Sequence, residues 1–589
     1  MRASSPWFPI ASALLAHAAS TEALLVTPPG TVVPKHQRIL DPHRRAATLA
    51  TSTALFFKNA TTESQDVDTI SIDGAVGVAV ANPTAEKDES ASKQGLPGGA
   101  VSASSGFDEN CFPGRDENSR FDCHPSVTMW RNFQAKEHSA QDNLQEMNRI
   151  SQRFVNLAAL SNLKGTASAS YFGRHVARTA YFGVNAVLGV TAYQISKRSG
   201  GSSSNNNGDE KMVHATTRRG SLPMGLSGDV ASRLVLEALL CYEQDYFEWI
   251  ASGAYREPWD MKTLRHRQSN PVNVVTQTGR FVREAVGTLG RRSRGTEDDK
   301  KVKFFSGNAS SARTTTTTKA QQRNELYPDY YQTAFHFQGD GWMSTDSANV
   351  YETSTETLFL GRQDSMQRTS LPPLVALAEK FSKDQNNAVE KRPMRVLEVA
   401  CGTGRFMTFA RDNLPLDTEY TALDLSPFYL EKASDNDDYW RETRQREEEE
   451  TRGRRQRTTA SATIPPAILV QAPAESLPFP DNSFDAVVCV YLFHELPRDI
   501  RARAAAEMAR VVAPGGTVVL TDSVQKGDRP PLDQSLSNFQ NMNEPFYIEY
   551  INDDLGKHFE KEGLEPRTKI VRSTTKSLAF TKPGGIGMS

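Results

Sequence analysis

The sequence predicts an α/β fold, with a doubly wound, mainly parallel sheet at the carboxy-terminal end, preceded by a mainly helical amino-terminal region and interrupted by disordered segments. After residue 390, short apolar β runs alternate with amphipathic helical stretches, which is typical of a parallel sheet covered by helices. Hydrophobic residues make up only 38% of the 589 residues. Long Ser-, Thr-, Gly- and Arg-rich stretches bury too little apolar surface to offset the entropy of ordering them.

The first 60 residues are predicted to be a targeting segment. Met1-Arg2 precedes an apolar run over residues 7–15 and small residues at 16–18, which is the order of a secretory signal. The following stretch is rich in Ser, Thr and Ala and has more basic than acidic side chains, as transit peptides do. This order predicts import into a plastid (chloroplast). The secretory pathway, a mitochondrion and a plain disordered tail are the alternatives.

Composition divides the next part of the chain into three segments. Residues 61–120 are predicted to be a disordered linker, because residues 85–106 are polar and glycine-rich. Residues 121–290 are predicted to form a helical region, whose clearest helix covers residues 230–250 with apolar side chains every three or four positions. The Arg- and Thr-rich residues 291–324 are predicted to be a second disordered linker.

Residues 325–390 form an aromatic-rich segment that is predicted to be a helical lid, with a helix over residues 345–359. Its first part contains a dense group of rings: Tyr327, Tyr330, Tyr331, Phe335, His336, Phe337 and Trp342. Aromatic side chains at this density line an apolar pocket for a flat substrate or cover the edge of a sheet. Both interpretations remain open at the level of sequence.

Residues 391–589 are predicted to form one α/β domain. Strands are expected at residues 394–400, 419–424, 467–471, 484–490 and 516–522, with further strands near 566–571 and 576–580. Helices are expected at residues 405–413, after residue 427 and at 500–511.

Charge, cysteine content and hydropathy exclude several classes of protein. With 68 basic and 70 acidic residues the formal net charge is -2, so nothing indicates a nucleic-acid-binding surface. The five cysteines are scattered without CxxC spacing, which argues against a disulfide scaffold and a cysteine metal site; no metal is predicted.

No segment reaches the roughly 20 apolar residues that cross a bilayer. Residues 181–193 predict a buried core helix, with peripheral membrane contact as the alternative.

The strongest local signal is VLEVACGTGRF at residues 396–406. A strand that runs into a glycine-rich turn brings backbone N–H groups close to a ligand, because side chains at Gly402 and Gly404 would block the approach. A dinucleotide fingerprint would need a glycine where Met407 stands, so that interpretation fails. Asp424 ends the second predicted strand, where a carboxylate can accept hydrogen bonds from the two hydroxyls of a ribose. The alternative is that it caps the following helix.

Four sequence blocks follow one another over residues 395–523: VLEVACGTGRF, YTALDLSPFYLEKA, QAPAESLPFPDNSFDAVVCVYLFHELP and RVVAPGGTVVLTDS. In these blocks the sequence resembles the class I S-adenosylmethionine-dependent methyltransferases, of methyltransferase type 11/25 and the ubiquinone/menaquinone-biosynthesis-like branch, which have a Rossmann-like sheet. The stretches YETSTETLFLGRQDSMQR and FVREAVGTL also resemble a plant and algal plastid-type group with a long amino-terminal extension.

The resemblance implies S-adenosyl-L-methionine as cofactor and assigns residues to its methionine and ribose parts. Glu398 would hold the methionine amino group. The backbone at Ala400, Gly402 and Gly404 would pack against the methionine and the ribose. Asp424 would bind the ribose hydroxyls. Ala400 replaces the first glycine of the family motif, at a position that we expect to need no positive φ.

The resemblance also assigns residues to the adenine. Leu425 would flank the ring, and Ala474 and Glu475 occupy the position at its edge. Pro473 departs from the family pattern, because many relatives carry there an acidic residue that bonds the adenine amino group. Adenine recognition is therefore where this chain differs most from its family.

The implied activity is transfer of a methyl group to a small-molecule acceptor, at an O or C atom of an aromatic or isoprenoid-type compound. Because a sulfonium methyl group is already activated, placing the acceptor in line matters more than a dedicated catalyst. His494 is the predicted catalytic residue, as acceptor of a proton from a phenol, enol or carbon acid; Tyr491 and Glu495 are second candidates. The alternative is a methyltransferase-fold binding or assembly factor without turnover. The sequence does not predict protein partners.

Overall fold

The computed structural model describes residues 113–136, 138–155, 163–199, 228–262, 270–294, 327–332, 341–387, 390–452, 464–537 and 544–584. The predicted targeting segment and most of both predicted linkers lie outside these described residues, as do Phe335, His336 and Phe337. The last part of the first predicted linker, Pro113–Arg120, forms a helix.

Eight strands form one sheet in the order β1-β7-β8-β6-β5-β2-β3-β4. Their bounds are β1 Asp122–Cys123, β2 Arg395–Val399, β3 Glu419–Asp424, β4 Ile468–Gln471, β5 Phe484–Val490, β6 Val512–Ser523, β7 Glu565–Arg572 and β8 Thr575–Thr581. Strands β4, β3, β2, β5 and β6 run parallel to one another. Strand β8 is antiparallel to both of its neighbours, and β1 is parallel to β7. The predicted α/β class is confirmed.

Helices lie before the sheet and between its strands. Their bounds are α1 Pro113–Arg120, α2 Pro125–Asn132, α3 Ala140–Phe154, α4 Leu163–Ser199, α5 Gly228–Gln244, α6 Pro271–Arg294, α7 Thr345–Leu358, α8 Gln363–Gln367, α9 Leu371–Asn387, α10 Arg405–Asn413, α11 Pro427–Arg452, α12 Arg498–Val511, α13 Asp533–Leu536, α14 Tyr547–Ile551 and α15 Leu555–Lys561. Among the described helices, none combines the length and apolarity that crossing a membrane requires.

Strand β5 shows why the sheet is buried on both faces. All seven of its residues are buried, as expected for a central parallel strand with an almost continuous apolar sequence. Val487 and Cys489 belong to one apolar core, while Ala486 and Val488 belong to the core on the opposite face. This alternation follows from the two-residue period of a strand and places a helical layer on each side.

The order of the strands creates a crevice at one edge of the sheet. The chain passes from β2 to β3 and β4 on one side, then crosses to β5 on the other side of β2. At this reversal the connections that leave the carboxyl ends of β2 and β5 diverge to opposite faces, which opens a crevice where ligands of such sheets bind. Strands β2 and β3 end in register, with Val399 opposite Leu423.

The amino-terminal helices pack onto the sheet through buried charges. The predicted helix over residues 230–250 is α5, which continues as a π-helical turn at Asp245–Ile250. Asp245 in this turn contacts Arg368 at 2.5 Å and Arg572, at the end of β7, at 2.7 Å. All three side chains are buried. The helical region and the sheet therefore share one interior.

Strand β6 begins earlier than predicted. Residues 512–515 were expected to form a helix end and a turn, but they already belong to the strand. Gly515 has a φ of +81°, and the register between β5 and β6 shifts between Phe484 and Ala486. A Cβ atom on Gly516 would lie 2.6 Å from the Asp485 carbonyl oxygen. The glycines thus permit a bulge instead of ending the strand.

Candidate active site

A pocket lies at the carboxyl edge of β2, β3 and β5, where the sheet topology predicts a ligand site. It encloses about 960 Å³ of space, part of which is open solvent at its mouth. Its walls come from the three strand ends and from the aromatic-rich segment. The predicted site residues that line it are Glu398, Ala400, Gly402, Asp424, Leu425 and Ala474.

The two glycines of the turn after β2 serve different purposes. Gly402 has a φ of +54°, and a Cβ atom there would meet nothing within 4 Å, so its bare backbone faces open space in the pocket. Gly404 has a φ of +76° and is the N-cap of α10. A Cβ atom on Gly404 would lie 2.8 Å from the Met407 side chain and 3.0 Å from Ala433. Gly404 does not line the pocket; it allows α10 to pack closely against α11.

The expectation that Ala400 needs no positive φ is wrong. Its φ is +58°, because the chain turns sharply where β2 ends and Cys401 N–H donates to the Leu423 carbonyl oxygen at 2.9 Å. A left-handed backbone costs an L-residue with a Cβ atom roughly 1–2 kcal/mol. The turn therefore carries strain beside the pocket.

Replacing Ala400 with glycine is expected to stabilise the fold. Glycine removes the left-handed strain but adds freedom to the unfolded chain, which costs about 0.5–1 kcal/mol. The expected net gain is on the order of 0.5 kcal/mol, measured by urea unfolding. Ala410, buried inside α10, offers the matched control, since Ala410→Gly should destabilise. A stability loss in Ala400→Gly would contradict the assignment of strain.

Asp424 links the turns that follow β2 and β3. Its Oδ2 accepts a hydrogen bond from Gly402 N–H and its Oδ1 accepts one from Ser426 N–H, each at 2.8 Å. Burial raises the pKa of Asp424 to about 6, although these N–H groups lower it. The two carboxylate oxygens have about four lone pairs in all, more than these N–H groups and the backbone of Leu425 occupy, so the carboxylate can still accept a hydrogen bond from a ligand. The alternative role of Asp424, capping the following helix, also applies in part. Its bond to Ser426 N–H lies directly before the first residue of α11.

Glu398 is a buried carboxyl group at the pocket wall. It lies in β2, is 1% exposed, and its Oε2 accepts a hydrogen bond from the Tyr420 hydroxyl at 2.8 Å. Burial raises the pKa of Glu398 to about 8, against the opposing effect of Tyr420. With a pKa of about 8 this group is largely protonated at neutral pH. A cationic ligand next to it would favour the ionised form.

The predicted adenine edge is only partly in the pocket. Leu425, Pro473 and Ala474 line it. Glu475 is not among the lining residues; its Oε1 accepts a hydrogen bond from the Tyr330 hydroxyl at 2.7 Å. Glu475 therefore fastens the aromatic-rich segment over this end of the pocket.

The aromatic-rich segment lines the pocket, as one of its two interpretations predicted. Tyr330, Tyr331 and Trp342 are lining residues. Trp342 packs edge-on against Tyr351 and Tyr429, with ring centroids 5.5 Å and 5.2 Å away. These rings give the pocket an apolar wall that suits a flat molecule.

His494 lies behind the pocket wall, not on it. Its neighbour Glu495 lines the pocket together with Tyr491 and Leu492. His494 Nδ1 lies 2.6 Å from Asp522 Oδ1. Burial would lower the pKa of His494, but the charge of Asp522 outweighs burial and holds this pKa well above its usual value. Because His494 does not line the pocket, any proton it exchanges with an acceptor there has to pass through a neighbouring group such as Glu495.

Several residues near the pocket escaped prediction from sequence. Tyr351 and Tyr429 lie in helices α7 and α11, where the sequence contains no motif that indicates a binding site. Asp522 lies near the end of β6, a strand to which the sequence analysis assigned no functional residue. Glu544 is buried close to His494 and Glu495, from a segment with no motif. The aspartate that ends β6 could have been found by the rule that polar residues at the carboxyl ends of parallel strands face ligands.

Comparison with known proteins shows that this chain is similar to methyltransferases. The family described as "Methyltransferase domain" matches residues 397–520. A phosphatidylethanolamine N-methyltransferase of Cereibacter sphaeroides is 30% identical over 204 residues, which are 34% of this chain and 79% of that protein. A demethylmenaquinone methyltransferase of Thermus thermophilus is 31% identical over 135 residues, 23% of this chain and 50% of that protein.

The chain was also compared with solved structures. A SAM-dependent methyltransferase from Aquifex aeolicus is 16% identical, with a TM-score of 0.22; the match covers 36% of this chain and 95% of that one. In the three comparisons with single proteins given above, the matched part is between 23% and 36% of the present chain.

Proposed function

The chain belongs to the methyltransferase family, and from that premise we propose that it transfers a methyl group from S-adenosyl-L-methionine to a small-molecule acceptor. The cofactor supplies a sulfonium methyl group that is already activated. The acceptor is proposed to react at an O or C atom and to be aromatic or isoprenoid-type. The aromatic wall of Trp342, Tyr351 and Tyr429 supports a flat acceptor.

The single observation that carries the proposal is the exposed backbone of Gly402 in the pocket, with Asp424 and Glu398 around it. A Cβ atom at Gly402 would meet nothing within 4 Å, so a ligand can approach the backbone there. Asp424 has lone pairs left for ribose hydroxyls, and Glu398 is a buried acid that a methionine ammonium group would ionise. The backbone of Ala400 would contact the same end of the molecule.

The adenine is proposed to lie between Leu425 and Ala474. Pro473 supplies no side-chain acceptor, so the nearby backbone must provide the polar contacts. Glu475 is proposed to act indirectly, by holding Tyr330 over the ring. This replaces the direct contact that the sequence suggested for Glu475.

Cofactor binding is expected to release a proton. Glu398 has a pKa of about 8, and a bound ammonium group lowers it, so about one proton per bound molecule should leave near pH 7. Calorimetry in buffers of different ionisation enthalpy measures this number. The release should vanish above pH 9 and in Glu398→Gln. Wild-type binding without proton release near pH 7 would contradict the role of Glu398.

His494 is proposed to support the reaction through Glu495, which faces the acceptor. We expect His494→Ala to reduce turnover by about tenfold, below the roughly 10²- to 10⁴-fold typical of direct proton transfer. Cofactor affinity should change little, because His494 does not line the pocket. Single-turnover rates and calorimetry separate the two effects. An unchanged rate would remove His494 from the mechanism. Glu562→Gln, a substitution of an exposed residue, serves as the control and should not change the rate.

The experiment that tests the function is methyl transfer from labelled S-adenosylmethionine to extracts or to phenolic and prenylated acceptors. Labelled product that depends on Asp424 supports the proposal. Tight cofactor binding without any labelled product would favour the alternative of a binding or assembly factor.

Plastid import remains a proposal based on composition, to be tested by fusing residues 1–60 to a fluorescent protein.

A further inference from the structure

One histidine and two carboxylates cluster on the acceptor side of the pocket. A ligand-capable atom of His494, of Glu495 and of Glu544 each lies within 4.8 Å of the other two. Glu495 and Glu544 are 7% and 4% exposed. Glu495 stands in the 3₁₀ turn after β5 and lines the pocket, and Glu544 comes shortly before α14.

The orientation of His494 is that of a metal ligand. Its Nδ1 lies 2.6 Å from Asp522 Oδ1, so a proton on Nδ1 is donated to that carboxylate and the lone pair of Nε2 is left for a cation. Nε2 lies 3.5 Å from Glu495 Oε1, which is long for a hydrogen bond but suits two ligands of one ion. Histidines that bind metals typically donate their other N–H group to a carboxylate in this way.

The second observation concerns Glu495 itself. Its Oε2 is buried and has no hydrogen-bond partner among the described residues. A buried carboxyl group without such partners either keeps its proton or is paired with a positive charge, so this oxygen is available as a ligand. Glu544 places a second buried carboxyl group beside it. The cluster thus offers one imidazole and two carboxyl groups within reach of one ion.

We propose that His494, Glu495 and Glu544 bind a divalent transition-metal ion at the acceptor side of the pocket. One imidazole and two carboxylates suit Mn²⁺, Fe²⁺ or Zn²⁺ better than Ca²⁺, which prefers six to eight oxygen ligands. Three protein ligands leave further coordination positions, as in catalytic metal sites. If the proposed methyl transfer holds, the ion would orient a hydroxyl or enolate oxygen of the acceptor. Metal binding itself does not depend on that function.

The test is Mn²⁺ binding by the full chain after removal of metals with a chelator, without cofactor or acceptor. Electron paramagnetic resonance counts the Mn²⁺ that remains free. We expect one bound ion per chain and at least a hundredfold weaker binding in Glu544→Gln. Glu562→Gln makes the same carboxylate-to-amide change at an exposed position and should bind like the wild type.

Two further measurements keep the proposal falsifiable if Glu544→Gln does not fold. Asp522→Asn leaves the three ligands in place and should weaken Mn²⁺ binding by about 10- to 100-fold, the usual effect of losing such a partner. Zn²⁺ should raise the unfolding temperature of the wild type but not of His494→Gln. Failure of the wild type to bind either ion, or equal binding by Glu544→Gln, would overturn the proposal and mean that protons alone supply the charge.

Calorimetry with S-adenosylmethionine on the same samples separates this proposal from the proposed function. Cofactor binding without Mn²⁺ binding would overturn the metal site and leave the methyltransferase proposal intact. Mn²⁺ binding without cofactor binding would support the metal site and contradict the cofactor assignment.

Discussion

Asp424→Ala is expected to weaken S-adenosylmethionine binding by at least about a hundredfold. Hydrogen bonds to a charged group contribute about 1.5–3 kcal/mol each, and the proposed ribose contact uses two of them. The substitution also leaves the N–H groups of Gly402 and Ser426 without their acceptor, which loosens the cradle. Calorimetry of the purified full chain measures the change, and circular dichroism verifies the fold.

Asp424→Asn is the matched control, because it keeps the shape and removes the charge. The pKa of Asp424 is raised to about 6, so the fold favours its neutral form, and ionisation costs stability as the pH rises from about 4 to 6. The Asn variant removes this cost, but its NH₂ group replaces one of the two oxygens that accept from Gly402 N–H and Ser426 N–H. It should therefore bind the cofactor more weakly at pH 8 without a gain in stability. Wild-type affinity should fall below pH 6, and that of the variant should not. Equal affinities at pH 8 would refute the ribose contact.

Asp245→Ala is expected to destabilise the fold by about 3–5 kcal/mol, the usual cost of leaving a buried charge without its partner. Arg368 and Arg572 are both buried against this carboxylate, and Tyr171 donates a hydrogen bond to it at 2.5 Å. Although burial alone would raise the pKa of Asp245, the two arginines hold it well below its usual value. This stabilisation is present above the ordinary aspartate pKa and is lost only in strong acid. Urea unfolding at pH 7 measures the effect.

Glu243→Ala provides the comparison, two positions away in the same helix. Glu243 is buried, but it pairs with Arg149 and Arg153, whose side chains are 49% and 50% exposed. Water can solvate both arginines when the carboxylate is removed, so a smaller loss than in Asp245→Ala is expected. Similar losses in both variants would contradict the view that Asp245 joins the helices to the sheet. A selective loss in Asp245→Ala would support it.

The strands and their connecting helices could be predicted because their signals are local. The predicted bounds of α10, β3 and β5 agree with the structure, since each element is a short apolar run between clear breaks. Strand β6 was predicted too short, because a Pro-Gly-Gly sequence reads as a turn when the neighbouring strand is not considered. The bulge depends on pairing with β5, which is a tertiary property.

The site could be predicted where one motif supplies the residue and not where the fold brings distant segments together. Glu398, Gly402 and Asp424 belong to two adjacent strand ends, whose register fixes their meeting. The strain at Ala400 arises from the turn geometry, which the alanine itself does not reveal. Glu544 approaches His494 only through the packing of α14 against the turn after β5. No local pattern encodes that contact.

The short strand β1 has a consequence for how the chain is made. It pairs with β7, and Glu117 just before it accepts hydrogen bonds from Lys569 and Lys576 at 2.6 Å and 2.7 Å. These partners are more than 400 residues apart in the sequence. During synthesis β1 leaves the ribosome early and has no partner strand until nearly all of the chain has been translated. Contacts this distant slow folding, so completion of the sheet is expected to be a late, post-translational step.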